Sequence, residues 1–146
     1  GDYAYLTIIG AEEDELNLFD VTNPSVAPSW VSESILQTSP LDVAAAGSYA
    51  FVAQGDLGLV VVDGTNPADP QVAHTTNTLG SALGVAVTGD YAYVANSDRL
   101  QVVRIFQDGS LYSAASPIGP GRDVCAVGDM ATWEVVSVSI GVVVEE

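Results

Sequence analysis

Gly89-Asp90-Tyr91-Ala92-Tyr93-Val94 is the stretch on which the fold turns, because the chain carries it more than once. It appears as Gly1-Asp2-Tyr3-Ala4-Tyr5-Leu6 and as Gly47-Ser48-Tyr49-Ala50-Phe51-Val52, and it fades into Gly128-Asp129-Met130-Ala131-Thr132-Trp133. The copies start 46, 42 and 39 residues apart. A second block, Leu16-Asn17-Leu18-Phe19-Asp20-Val21-Thr22-Asn23-Pro24, returns as Leu59-Val60-Val61-Val62-Asp63-Gly64-Thr65-Asn66-Pro67. A third precedes each later glycine turn: Asp42-Val43-Ala44-Ala45, Gly84-Val85-Ala86-Val87 and Asp123-Val124-Cys125-Ala126. Three landmarks in a constant order define an internal repeat, the first thing a sequence of this kind must be tested for.

Each unit reads as four short strands. In the second unit they fall at Leu41–Ala46, Tyr49–Gln54, Gly58–Asp63 and Gln71–Thr76. These runs are β-branched and aromatic, and Gly, Asn-Pro or Asp-Pro punctuates the joins. The Gly-Ser and Gly-Asp pairs sit where a two-residue hairpin needs a first residue of positive φ. Asn23-Pro24 and Asn66-Pro67 end the third strand, because proline cannot donate to a ladder. No segment carries a helical apolar period.

Repeats of about 40 residues with four antiparallel strands predict an all-β chain of β-propeller blades. Small inner-strand residues such as Ala44, Ala45, Ala46 and Ala86 suit a crowded axis, and the Tyr-Ala-Tyr strand puts large and small residues on alternate faces. The chain then divides into units at about 1–40, 41–82, 83–121 and 122–146 of a single propeller segment. The first unit lacks its inner strand and the last its outer one, leaving about three and a half blades: a partial or self-associating propeller. Propellers usually close on roughly four to eight blades.

The blocks Gly89 to Ala95 and Leu59 to Pro67 resemble the LVIVD repeat, most strongly over residues 41–106. That family forms β-propellers in surface and secreted proteins of bacteria and archaea, so the resemblance implies a blade scaffold and an extracellular or cell-surface setting. The family's motifs are turns and strands and imply no catalytic residues. The third unit departs from the pattern: Arg104 stands at the Asp63 position, and Gln107-Asp108-Gly109 replaces the Asn-Pro turn.

Charge narrows the partners. The chain has 19 acids, three arginines and no lysine, for a net charge of −16. Such a surface lacks the cations that neutralise nucleic-acid phosphates or an anionic membrane. No apolar run reaches the length of a membrane-spanning helix. Cys125 is the only cysteine, which excludes an intrachain disulfide and a multi-thiolate zinc site. Gly1 falls inside a strand motif, so the chain is expected to be a mature, trimmed or partial product.

No catalytic constellation emerges. The one histidine, His74, is placed in an outer strand, away from the axial mouth, and Cys125 takes an inner-strand alanine position as a small apolar residue. No organic cofactor is implied. The run Glu12-Glu13-Asp14-Glu15 is placed in the loop between the second and third strands of the first unit, on the same end as Asp56 and Asn96-Ser97-Asp98. These four acids are candidate Ca²⁺ ligands, although the spacing of a dedicated calcium loop is absent and a solvated acidic face is the simpler account. Trp30 and Trp133 suit either sugar stacking or packing between blades. Ile140, Val142, Val143 and Val144 form a β-branched, uncharged stretch that suits either an assembly edge or an ordinary blade strand.

Two functions fit. One is a non-catalytic module that binds a protein or glycan partner through its loop face. The other is a structural subunit that joins copies of itself through open blade edges, as a ring or an extracellular filament. A fragment of a propeller hydrolase is a weaker third.

Overall fold

In the computed structural model, residues 2–10, 12–78, 80–97, 99–118, 124–127, 134–139 and 142–144 are described, with side chains as far as Tyr112. The strands are β1 (Tyr3–Ile8), β2 (Asp14–Asp20), β3 (Ser29–Leu36), β4 (Asp42–Ala46), β5 (Tyr49–Ala53), β6 (Leu59–Asp63) and β7 (Gln71–Thr76). They continue as β8 (Ala82–Thr88), β9 (Tyr91–Asn96), β10 (Leu100–Ile105), β11 (Leu111–Ile118), β12 (Val124–Val127), β13 (Glu134–Ser139) and β14 (Val142–Val144). Among the described residues there is no helix.

The strands form four antiparallel meanders in chain order: β1-β2-β3, β4-β5-β6-β7, β8-β9-β10-β11 and β12-β13-β14. The strand-poor sheets are the first and last, as the repeat predicts. Tyr3, Tyr49 and Tyr91 occupy the same place, opposite Asp20 and Asp63 of the second repeated block and Arg104 at the equivalent position. The inner strand β4 lies beside β8, and β8 beside β12. β1, whose sheet has no inner strand, lies alongside β4.

Local chemistry sets the turns. Gly47 and Gly89 have φ of 58° and 53° and open the hairpins β4–β5 and β8–β9, where any side chain would be strained. The second repeated block ends in two successive Asx turns. Asp63 Oδ1 accepts from the Thr65 amide at 2.8 Å, and Asn66 Oδ1 from the Ala68 amide at 3.3 Å. The first sheet repeats both: Asp20 with Thr22 at 2.8 Å and Asn23 with Ser25 at 3.0 Å. A short polar side chain bonding the backbone two residues on is the usual way such residues close a turn. Where Arg104 replaces the aspartate, the job moves to Asp108, which accepts from the Ser110 amide at 3.0 Å.

Packing is between sheets. Phe51, Ala53, Leu59 and Val61 of the second sheet meet Val85, Ala92, Val94 and Val103 of the third in one cluster of buried residues. The opposite face of the second sheet, Ala50, Val52, Val60 and Val62, meets Leu16 and Leu36 of the first. Both faces are buried, which is why Leu59-Val60-Val61-Val62 reads as a continuous apolar run rather than an alternating one. The side that carries Tyr5, Phe51 and Tyr93 faces the next sheet along the chain and is called forward here; the alanine side faces back.

Two contacts tie neighbouring sheets more specifically. Tyr5 lies over Gly64, where a Cβ would run into its hydroxyl. Asp42 Oδ2 accepts from the Val85 amide of the next sheet at 2.8 Å, so an inner-strand carboxylate bridges two blades.

Candidate functional site

The connectors fall into two sets. One holds the β1–β2, β5–β6 and β9–β10 loops together with the β3–β4 and β7–β8 links. Hydrogen bonds knit this end across blades: the Thr38 hydroxyl donates to the Gln54 carbonyl at 3.3 Å, Gln54 Nε2 to the Thr38 carbonyl at 2.6 Å, and the Ser97 amide to the Ser81 carbonyl at 2.9 Å. Gly55 and Ala82 exchange backbone bonds of 2.9 and 2.8 Å. The Ser81 hydroxyl donates to Asp56 Oδ1.

The acidic run sits at this end, with one difference from the sequence reading. Glu12 and Glu13 lie in the β1–β2 connector and are exposed, whereas Asp14 and Glu15 are already the first residues of β2. The strand reaches further because Asp14 and Glu15 pair with Leu36 and Ile35 of β3. Asp14 is engaged on both oxygens, accepting from the Gly10 amide at 3.2 Å and from the Ser39 hydroxyl at 3.0 Å. Glu15 Oε2 accepts from Asn17 Nδ2 at 3.0 Å. Among the described residues, no group of three or more His, Cys, Asp or Glu side chains is gathered as a metal site. The run is thus divided between an exposed pair and a structural pair. Of its expected companions, Asp56 shares this end, Asn96 is buried in β9 and bonds Gln101, and Asp98 lies outside the described residues.

The opposite end holds the Asx turns. A cavity of about 320 Å³ there is lined by Asp63, Thr65, Asn66, Asp69 and Gln71. Hydrogen bonds from Thr65 hold the Asp63 carboxyl below the usual aspartate range, and Thr22 and Ser110 do the same for Asp20 and Asp108. Burial, and secondarily the Asp63 carboxylate, pushes the Tyr5 phenol up. The three aspartates are capped by hydrogen bonds, an arrangement suited to holding turns.

His74 lies in the outer strand β7 opposite Val61, as the sequence places it. Cys125 lies in β12 opposite Val136, and its side chain is outside the described residues. Val142, Val143 and Val144 form β14, the outer edge of the last sheet, paired with β13; Ile140 and Trp133 fall outside the described residues. No helix among the described residues is long and apolar enough to cross a membrane.

The back face of the first sheet is open, as an incomplete count of blades implies. Leu6, Ile8, Trp30 and Ile35 are exposed there, and Trp30 Nε1 donates to Asn17 Oδ1 at 2.9 Å, covering that buried amide. Leu6 is the repeat equivalent of Val52 and Val94, which are buried.

Comparison with known proteins agrees with this architecture. A solved structure described as a functionally unknown protein from Desulfotomaculum acetoxidans superposes with a TM-score of 0.64 at 17% identity. The match covers 89% of this chain and 49% of that one, so the chain spans about half the length of that relative. No curated protein matches. The LVIVD repeat profile matches twice, at residues 40–78 and 79–114, which are the second and third sheets and together about half of the sequence. The chain therefore belongs to the LVIVD-repeat family.

Proposed function

We propose that the chain is a non-catalytic interaction module of an extracellular or cell-surface protein, binding a protein or glycan partner through the loop end that carries Glu12, Glu13 and Asp56. The observation that supports this most directly is how the structure spends its surfaces. In the second sheet both strand faces are buried against neighbours, so the connectors are what remains for recognition. The hydrogen bonds among Thr38, Gln54, Ser81 and Ser97 hold that end as one prearranged surface. An acidic surface without lysine keeps an exposed protein hydrated and soluble, and its partner would carry basic groups or hydroxyls.

The test is amide chemical-shift mapping with two probes, a lysine- and arginine-rich peptide and a panel of soluble oligosaccharides. Shifts confined to residues 9–13, 37–41, 54–58 and 77–81, and lost in Glu12→Lys/Glu13→Lys, are the expected result. Shifts spread evenly over all acidic connectors, or confined to the Asx-turn end, would refute the assignment.

A further inference from the structure

We infer that the bulges at Val31 in β3 and Ala73 in β7 block strand addition at the outer edges of the blades, keeping copies of this chain from pairing edge to edge. This property belongs to the rim of the sheets and is independent of what the loop end binds.

An outer strand has a neighbour on one side only, so a row of its backbone donors and acceptors is left without a ladder partner. β3, β7 and β11 are such strands, each at the end of its sheet. Neighbouring sheets pack face against face, as the buried clusters on the two sides of the second sheet show. A further blade at either end of the array would cover a face and leave these edges as they are.

The usual protections of an edge are scarce here. The chain has no lysine, the residue that natural edges use most. β7, Gln71-Val72-Ala73-His74-Thr75-Thr76, carries no acid or arginine either, and Val72 is 46% exposed. Val72, Thr75 and Thr76 are β-branched, and the strand contains no glycine or proline. A short segment of that composition is the kind that stacks on its own copies.

What the edge has instead is an interruption. In the β6–β7 ladder Val61 pairs with His74 and Val62 with Val72, leaving Ala73 as an extra residue. In β2–β3 Leu18 pairs with Ser32 and Phe19 with Trp30, leaving Val31. Leu18 and Phe19 are the repeat equivalents of Val61 and Val62, so the extra residue enters at the same place in both blades. β10–β11 is broken more widely: Leu100 pairs with Ile118 and Val102 with Ala114, so Ala115, Ser116 and Pro117 stand opposite Gln101. Pro117 has no amide hydrogen to offer an added strand. The registers of β1–β2, β4–β5, β5–β6 and β9–β10 run without a shift. The other irregular ladder among the described residues, β8–β9, is shifted between Ala82 and Gly84 of β8, an inner strand flanked by β4 and β12.

A bulge bends its strand, raises the local twist and leaves one residue unpaired, so a straight ladder does not continue across it. A strand arriving at β7 can pair with Gln71-Val72 or with His74-Thr75-Thr76, but not with both in one register. Either stretch is shorter than the roughly five to six residues of an ordinary strand. Growth of a continuous sheet through the rim is what Val31 and Ala73 prevent.

Deletion of Ala73 tests the proposal. Every residue of β6 keeps its partner in that variant, and the extra residue alone is lost. Circular dichroism, light scattering and amide hydrogen exchange are compared with the parent at several protein concentrations. The expected result is a parent-like spectrum, an average mass at least about twofold above the parent at high concentration, and slowed exchange confined to residues 71–76. Adding Thr75→Lys to the deletion is expected to reverse both changes, because it supplies the missing edge charge. Deletion of Val31 is the second variant and should act in the same way at residues 29–36. A folded deletion variant with the mass and exchange of the parent overturns the proposal and leaves the bulge as a source of twist alone. Growth that Thr75→Lys does not reverse also overturns it. Should neither deletion fold, the parent decides: exchange in residues 71–76 is independent of protein concentration, and slowing there as concentration rises shows that the edge pairs despite its bulge and overturns the proposal.

Discussion

Replacing Gly64 with alanine tests whether neighbouring blades are locked by specific contacts or only by apolar area. A Cβ at Gly64 runs into the Tyr5 hydroxyl of the preceding sheet and comes within 3.1 Å of the Ser48 carbonyl oxygen. Gly64 is not among the glycines of positive φ, so the backbone accepts alanine and the cost is steric. Overpacking of this kind costs about 1–3 kcal/mol. Alanine also narrows the unfolded ensemble and returns about 0.4–1 kcal/mol. The net expectation is a loss of about 1–2 kcal/mol; each kcal/mol lowers the melting temperature by roughly 2–4 °C in a chain of this size class. The decisive comparison is the double variant. Tyr5→Phe deletes the clashing oxygen, after which the nearest ring atom is Tyr5 Cζ at 3.5 Å, an ordinary contact. Tyr5→Phe alone should change stability by no more than about 0.5 kcal/mol. A urea-denaturation cycle over the four proteins should then show a favourable coupling of about 1 kcal/mol. If Gly64→Ala is as stable as the parent, or if Tyr5→Phe gives no relief, the first two sheets are not in contact as described.

Asp42→Ala removes the carboxylate that accepts from the Val85 amide and should cost about 1–3 kcal/mol by stranding that donor; faster hydrogen exchange at Val85 than at Val94 is the specific readout. Acid should act in two stages. Relief of repulsion among 19 acids raises the melting temperature from pH 7 toward 5. Asp20, Asp63 and Asp108 have carboxyls depressed by their turn hydrogen bonds, so their stabilisation is present above the ordinary value of 3.8 and drains away as pH falls below it. Melts that decline between pH 7 and 5 would contradict the first stage, and an acid limb unchanged in Asp20→Asn/Asp63→Asn/Asp108→Asn the second. A specific calcium site adds about 2.7 kcal/mol at a hundredfold excess over its dissociation constant. Because Asp14 and Glu15 are already engaged, Ca²⁺ and Mg²⁺ at equal ionic strength should shift the melt equally; a rise seen with Ca²⁺ alone makes Glu12 to Glu15 a binding site.

The blade architecture was legible because its signals are local. Gly47-Ser48 and Gly89-Asp90 fix hairpins, the Asp63-to-Pro67 block fixes a turn, and strand limits such as Gln71–Thr76 follow from their punctuation. The reading went astray where position depends on a partner strand. Asp14 and Glu15 look like loop by charge and become strand by pairing with Leu36 and Ile35. An open end face follows from the blade count, but which residues lie on it does not. Leu6 and Ile8 have the composition of core residues, and only the arrangement of sheets shows that they are exposed among the described residues. Inter-blade ties such as Asp42 to Val85, 43 residues apart in sequence, leave no periodic trace.

The paired Asx turns have a consequence for how such chains lengthen. The Asp63 and Asn66 side chains accept from amides two places on, so the side-chain bonds that set this corner lie within its own connector. A duplicated segment of the gene would arrive with its corners already specified, and selection would have only the contact surface to refine. Copy number can then drift while the module persists, and the arginine at position 104, where the corner is made by Asp108 instead, shows how one unit can diverge without its neighbours having to follow.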